Sequence, residues 1–167
     1  MKALPKAFLD SLQGIEGFNK EAFEDVHAKG EKVTSIRINP AKWKFGIDQG
    51  TIFLNDYLSL DQQIPWTEFG YYLNTRPSFT FDPVFHAGSY YVQEASSMFI
   101  EQAFKQLINL KTSLKVLDIS AAPGGKSTHI QSLISNESLL VCNEVIRGRS
   151  NILRDNIIKW GLSLIHI

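Results

Sequence analysis

Cysteine is nearly absent: Cys142 is the only one in 167 residues. With no partner for an internal disulfide, a stapled secreted scaffold is excluded, and a reducing compartment fits better. Net charge is also missing, with 17 Lys and Arg against 17 Asp and Glu. No global basicity announces nucleic acid, so any such site has to be a local patch. No apolar run approaches the roughly 20 residues that span a bilayer. The start, MKALPKAFLDSL, is interrupted by Lys6 and Asp10 and has no signal-peptide core. The histidines His27, His86, His129 and His166 lie without ligand spacing, so no metal site is expected. Repeats and low-complexity tracts are missing too. What remains reads as a soluble, cytoplasmic, globular chain, one domain or two small ones.

Two short helices are expected first. Pro5 precedes Ala7, Phe8, Leu9, Leu12 and Ile15 at near-helical spacing, closed by Gly14 and Gly17. Asn19 is placed to cap a second helix ending near Gly30. KVTSIRIN then alternates like a half-buried strand, stopped by Pro40. Residues 41–82, rich in aromatics and turn formers, read as short strands and loops.

The texture changes near residue 83. EASSMFIEQAFKQLI puts Ala95, Met98, Phe99, Ala103, Leu107 and Ile108 on one helical stripe. LKVLDIS and SLLVCNE read as strands buried on both faces, each followed by helical spacing, and Gly161 is placed as a C-terminal cap. Strands alternating with helices favour a parallel sheet in an α/β fold. The expected division is therefore 1–82, a small α+β domain; 83–161, the start of an α/β domain; and 162–167, a third strand cut short or a non-native tail.

The stretch between the first of these strands and its helix, DISAAPGGKSTHI, carries the chemistry. A P-loop requires G-x-x-x-x-G-K-[ST], but Ser120 stands where the first glycine belongs, and Pro123 removes an N–H from the phosphate cradle. The dinucleotide fingerprint G-x-G-x-x-G also fails, since only Gly124 and Gly125 are present. Small residues still let a ligand approach the backbone, and a helix N-terminus offers unpaired N–H groups to a carboxylate. About 20 residues past the glycines, an acid ending the next strand can accept from ribose hydroxyls, and Glu144 occupies that place. A carboxylate subsite beside a ribose acceptor describes an amino-acid-bearing nucleoside, and S-adenosylmethionine fits. A purely structural glycine turn with Asp118 and Glu144 is the competing reading.

HAGSYYVQEASSM, VLDISAAPGGKSTHI, NEVIRGRSNILRDNIIKWG and the earlier IRIN together resemble the NOL1/NOP2/Sun family of RNA 5-methylcytosine methyltransferases. The resemblance is nearest to the bacterial RsmF-like branch acting on 16S ribosomal RNA, and covers nearly all of residues 1–161. It implies the N-terminal part of a class I (Rossmann-like) methyltransferase sheet, preceded by a small α+β domain that helps bind RNA. It implies that Ser120, Ala121, Ala122, Pro123, Gly124, Gly125 and Lys126 line S-adenosylmethionine, with Glu144 on its ribose. Many members carry cysteine where this chain has Ser120. Family enzymes add a cysteine thiolate to cytosine C6, which makes C5 nucleophilic enough to take the methyl group, and a second cysteine assists release. Both cysteines lie in motifs well downstream of the second strand, so the chain is expected to be a truncated, inactive portion of such an enzyme, poorly soluble alone.

Cys142, inside an apolar strand, reads as a small buried hydrophobe, not the nucleophile. Lys29, Lys32, Arg37, Lys42 and Lys44, with Trp43 and Phe45 among them, form the only basic-aromatic cluster. Of these, Lys32, Arg37, Lys42, Trp43 and Lys44 are the candidate RNA contacts, since such binding needs phosphate-neutralising charge and stacking surfaces. A solvated strand edge gives the same pattern. Gln93, Glu94 and Ser96 are expected to cap a helix start, and Arg149 to pair with a nearby acid. Two other functions stay open: a P-loop-like nucleotide-binding domain, and a non-catalytic RNA-binding module.

Overall fold

The computed structural model describes residues 4–30, 33–43 and 57–161. The chain divides into two compact units, residues 1–33 and 34–167. In the first, α1 (Lys6–Ser11) and α2 (Lys20–Lys29) are joined by a turn through Gly14 and Gly17. The Asn19 side chain accepts from the Ala22 N–H at 2.9 Å, and Gly30 ends α2 in the left-handed region. That is the expected pairing of a polar N-cap with a glycine stop. Phe23 gathers Phe18 and His27 at ring separations of 5.5 and 4.3 Å.

Among the described residues, the second unit holds two sheets. The first is antiparallel, in the order β2-β3-β1-β4, from β1 (Thr34–Ile38), β2 (Leu60–Gln63), β3 (Gly70–Leu73) and β4 (Tyr90–Val92). β1 is central, with Ile36 opposite Tyr71 on one side and Val92 on the other. The expectation of a half-buried strand fails here, because all five residues of β1 are buried. The alternation itself is present: Ile36 and Ile38 enter an apolar core with Leu58, Leu73 and Tyr90. The opposite, polar face is covered by protein instead of water. There Ser35 donates to the Gln93 carbonyl, and Asn39 donates to the carbonyls of Gly88 and Trp160.

A short helix α3 (Pro83–His86) is capped by Asp82, which accepts from the N–H groups of Val84 and Phe85. After β4, residues Ala95–Phe99 form a 3₁₀ turn leading into α4 (Ile100–Leu107). This turn changes the helical phase. Three residues per turn align Ala95, Met98 and Glu101, and these are the buried positions, while Phe99 is 58% and Leu107 83% exposed. Of the six-residue apolar stripe expected from the sequence, Ala95 and Met98 are packed, while Phe99, Ala103, Leu107 and Ile108 are not buried.

The second sheet pairs β5 (Lys115–Asp118) with β6 (Leu139–Cys142) in parallel, with Val116 opposite Leu140. The loop after β5 leads into α5 (Gly125–Leu133), and α6 (Arg147–Trp160) follows β6, ending on the left-handed Gly161. The parallel pairing matches expectation, but burial on both faces does not. Asp118, Val116, Leu140 and Cys142 are half-buried, whereas Leu117, Leu139 and Val141 on the other face are exposed. Side chains alternate across a strand, and only one face of this pair is covered among the described residues. The mixed α/β arrangement is that of a partial Rossmann-like sheet.

Candidate functional site

A cavity of about 220 Å³ opens between β4 and the loop after β5. Tyr91, Gln93 and Glu94 line one wall; Ser120, Ala121, Ala122, Pro123, Gly125 and Lys126 line the other. Six of the seven expected loop residues thus face one cavity. Gly124 does not. It sits at φ +109 against α6, where a Cβ would come 3.2 Å from Leu153 Cδ1, so a side chain here meets both strain and contact.

The loop is held from behind by its carbonyls. Arg149 donates to Ala122 O at 2.8 Å, Asn156 to Pro123 O at 2.8 Å, and the Thr128 hydroxyl to Gly124 O at 2.7 Å. Arg37 reaches Gly125 O at 3.2 Å. At its start, Asp118 accepts from Ser120 N and from the Ser127 hydroxyl, tying strand, loop and helix together. The carbonyls of Ala122 to Gly125 are thus all turned to protein donors. The first N–H groups of α5 have no intrahelical partner, and no side chain caps them. Such a turn is built for an acceptor-rich ligand.

Arg37 corrects an expectation. Read as a candidate RNA contact, it is instead 1% exposed. Its Nε donates to Gln93 Oε1 at 2.9 Å, its Nη2 to the Thr128 hydroxyl at 2.7 Å, and its guanidinium stacks 4.4 Å from the Trp160 ring. Burial pushes its pKa down to about 9, so it remains a cation at neutral pH inside the unit. A guanidinium committed on three sides there cannot also neutralise a phosphate at the surface. Lys42 caps the end of α6 by donating to the carbonyls of Lys159 and Ala87. Trp43 donates from Nε1 to Ser89 O. Lys32 and Lys44 lie outside the described residues.

Glu144 lies at the end of β6, as expected, but its side chain is only 4% exposed. Oε1 accepts from Ile146 N at 3.0 Å, and Oε2 stands 3.6 Å from Arg149, the pairing expected of that arginine. Glu144 does not line the 220 Å³ cavity. Cys142 sits half-buried against Ala121, Ala122 and Leu153. Burial pushes its thiol up, Asp118 adds to this, and a hydrogen bond with Ser127 opposes it. A thiol held protonated is a poor nucleophile. Glu94 caps the turn before α4 by accepting from Ser96, the capping role expected there.

Sequence reading missed the buried polar group around Glu101. Its Oε2 accepts from the Thr67 hydroxyl at 2.6 Å and from His129 Nε2 at 2.9 Å. Its Oε1 meets Lys105 Nζ at 2.6 Å and Glu68 N at 3.1 Å. Burial alone would raise this carboxyl, but the bonds, led by His129, Lys105 and Thr67, hold it at about 2. A glutamate within an apolar helical stripe was the available signal. Among the described residues, no group of three or more His, Cys, Asp or Glu is placed to hold a metal ion, and no helix is long and apolar enough to cross a membrane.

The family model described as the N-terminal domain of 16S rRNA methyltransferase RsmF matches residues 4–95. A second, described as 16S rRNA methyltransferase RsmB/F, matches residues 105–167. The chain belongs to the RsmF family. A ribosomal RNA small subunit methyltransferase F from Pectobacterium atrosepticum is 32% identical over 169 residues, covering 96% of this chain and 34% of the relative. The namesake from Shewanella loihica is 37% identical over 105 residues, 61% of this chain and 22% of the relative. This RsmF-family chain spans about a third of the length of the curated relatives that match nearly all of it. The crystal structure of PH0851 shares the fold, with a TM-score of 0.74 over 95% of this chain and 34% of that one, at 23% identity. A methyltransferase homolog from Pyrococcus horikoshii superposes with a TM-score of 0.64 at 27% identity, over 95% and 54% of the two chains. In the RsmF-family chain, Tyr91, Gln93 and Glu94 come from the first matched span and Ser120–Lys126 from the second.

Proposed function

We propose that this chain is the donor-binding part of an S-adenosylmethionine-dependent RNA cytosine-C5 methyltransferase with ribosomal RNA as substrate, working in the cytoplasm. One observation carries the reading. Within the loop from Ser120 to Lys126, the carbonyls of Ala122, Pro123, Gly124 and Gly125 turn onto Arg149, Asn156, Thr128 and Arg37. Its small side chains and the uncapped start of α5 are left facing a cavity. That set suits an amino-acid-bearing nucleoside, with N–H groups and Lys126 for a carboxylate and small residues for close approach; Glu144, outside the cavity lining, is the acceptor for the ribose. The bound donor would supply an electrophilic methyl group.

The chain's own residues bind and orient; they do not attack. Cys142 is half-buried and burial pushes its thiol up, which supports another cysteine as the nucleophile for cytosine C6. Glu144 keeps lone pairs beyond the bond from Ile146 N, and the half-exposed Arg149 is the side chain that a nucleoside would displace from it. In this reading residues 1–82 are the RNA-binding accessory part and 83–161 the donor-binding part. RNA contact then rests on Lys32, Lys42, Trp43 and Lys44, without Arg37.

Calorimetry with S-adenosylmethionine is the test. Saturable binding that weakens in Glu144→Ala is expected. Binding of ATP in place of S-adenosylmethionine, lost in Lys126→Ala, would return the site to a phosphate loop and overturn the reading.

A further inference from the structure

Gln93 is 7% exposed on the cavity wall, and its Oε1 accepts from Arg37 Nε at 2.9 Å. An arginine only donates, so the amide oxygen must face the guanidinium and the amide nitrogen must face away. That nitrogen, Nε2, is buried and has no hydrogen-bond partner. It lies toward Gly125: a Cβ placed on Gly125 would stand 3.8 Å from Nε2 and 3.7 Å from Cδ. Because residue 125 is glycine, no side chain of its own stands before the amide; the Tyr91 ring edge is the other neighbour of that point, at 3.4 Å. A buried donor left unpaired is costly to the fold.

The neighbouring groups have the same polarity. The first turn of α5 has no side-chain cap and no acidic residue, and Lys126 lines the same cavity. Glu94, the acid on the opposite wall, is committed to Ser96 through its hydroxyl and backbone N–H. Gln93 Nε2, the first N–H groups of α5 and Lys126 put donors on one side of the cavity; Lys126 also draws on the Glu94 carboxylate across it. The donor side favours a ligand group that only accepts and carries negative charge.

We propose that Gln93 donates from Nε2 to the α-carboxylate of the amino-acid part of the bound donor. Arg37 is the positioning residue that fixes which end of the amide faces it. The inference rests on the donor-binding reading above. Gln93→Glu tests it, because glutamate keeps the shape and the Arg37 partner while replacing the donor with an acceptor oxygen. Titration calorimetry on the full chain compares S-adenosylmethionine with 5′-methylthioadenosine, which has the nucleoside but no carboxylate. S-adenosylmethionine affinity is expected to fall at least about tenfold in the variant, 5′-methylthioadenosine binding to stay equal, and the melting temperature not to fall. Gln93→Met, similar in volume and without a donor, should show the same selective loss and stands in if the glutamate variant misfolds. Unchanged S-adenosylmethionine affinity, or equal loss of both ligands, overturns the role of Gln93 and leaves the donor site standing. A wild-type chain that binds neither ligand overturns the donor-binding reading and this inference with it.

Discussion

Glu101 and His129 are hydrogen-bonded at 2.9 Å with side chains 1% and 3% exposed. A carboxylate only accepts, so His129 must carry its proton on Nε2. Burial lowers the His129 pKa, and the Glu101 bond only partly offsets this. The pair is therefore a neutral imidazole on an ionised carboxylate. Below about pH 6.5 the unfolded chain gains a proton at histidine that the folded chain refuses, so stability falls as pH falls. Glu101, held at about 2 against 4.5 for the free group, adds stability that is complete above about 4.5 and lost toward 2. Thermal melts should thus fall in two stages on acidification. His129→Gln, whose amide still donates to Glu101, should flatten the stage between pH 6.5 and 4.5 and leave the lower one. A variant with the wild-type slope in that window would show that His129 is not the sensor.

Removing the carboxylate is a harsher change. Glu101→Ala strands the buried Thr67 hydroxyl and His129 Nε2–H and removes the partner of the part-buried Glu68 N–H. Breaking a buried charged network from one side costs about 3–5 kcal/mol. Chemical denaturation should show a loss of that order, with Lys105→Met costing less because Lys105 is 40% exposed.

Gly88 is a second sensitive point. Its φ is +71, and a Cβ there would stand 2.0 Å from the Lys159 carbonyl oxygen. Asn39 bridges Gly88 O to Trp160 O at 2.9 and 2.8 Å, so backbone and helix end cannot separate cheaply. Gly88→Ala should destabilise by well over about 1 kcal/mol, read as a lowered denaturant midpoint. A midpoint within error of wild type would mean that the α6 terminus yields.

The elements legible in the sequence were those whose signals are local. Asn19 with Gly30, Gly161, and the strand–turn–helix around AAPGGK depend on residues within one turn of each other, and each stands where expected. What was not legible depends on partners far along the chain. Arg37 looks like a surface cation until Thr128 and Gly125 arrive 91 and 88 positions later. Glu101 looks like a charge on an apolar stripe until Thr67 and His129 close over it. The exposed face of β5 and β6 has the same origin: an apolar run announces burial on both faces but not whether a covering layer lies on each.

Glu144 discriminates a ribose acceptor from a structural acid. As a ribose partner it contributes charge-assisted hydrogen bonds worth about 1.5–3 kcal/mol, so Glu144→Ala should weaken S-adenosylmethionine by roughly tenfold to a hundredfold. As a structural acid it only orders Ile146 N and Arg149, and its loss would move the melting temperature without a selective change in affinity. Pairing calorimetry with a melt on the same preparation separates the two.

The uncovered sheet face makes the last prediction. Leu117 and Val141 are direct cross-strand partners, 61% and 46% exposed, and Ile119 and Leu139 extend the same patch at 69% and 48%. A contiguous apolar face on a short sheet is a site for association, and burying it against another copy gains about 25 cal/mol per Å². Sedimentation velocity should therefore show an s-value that rises with concentration for the wild-type chain. Leu117→Lys with Val141→Lys places two charges opposite each other on that face, so the double variant should sediment as a monomer across the same range. A wild-type chain that stays monomeric at high concentration would show that this face is not sticky.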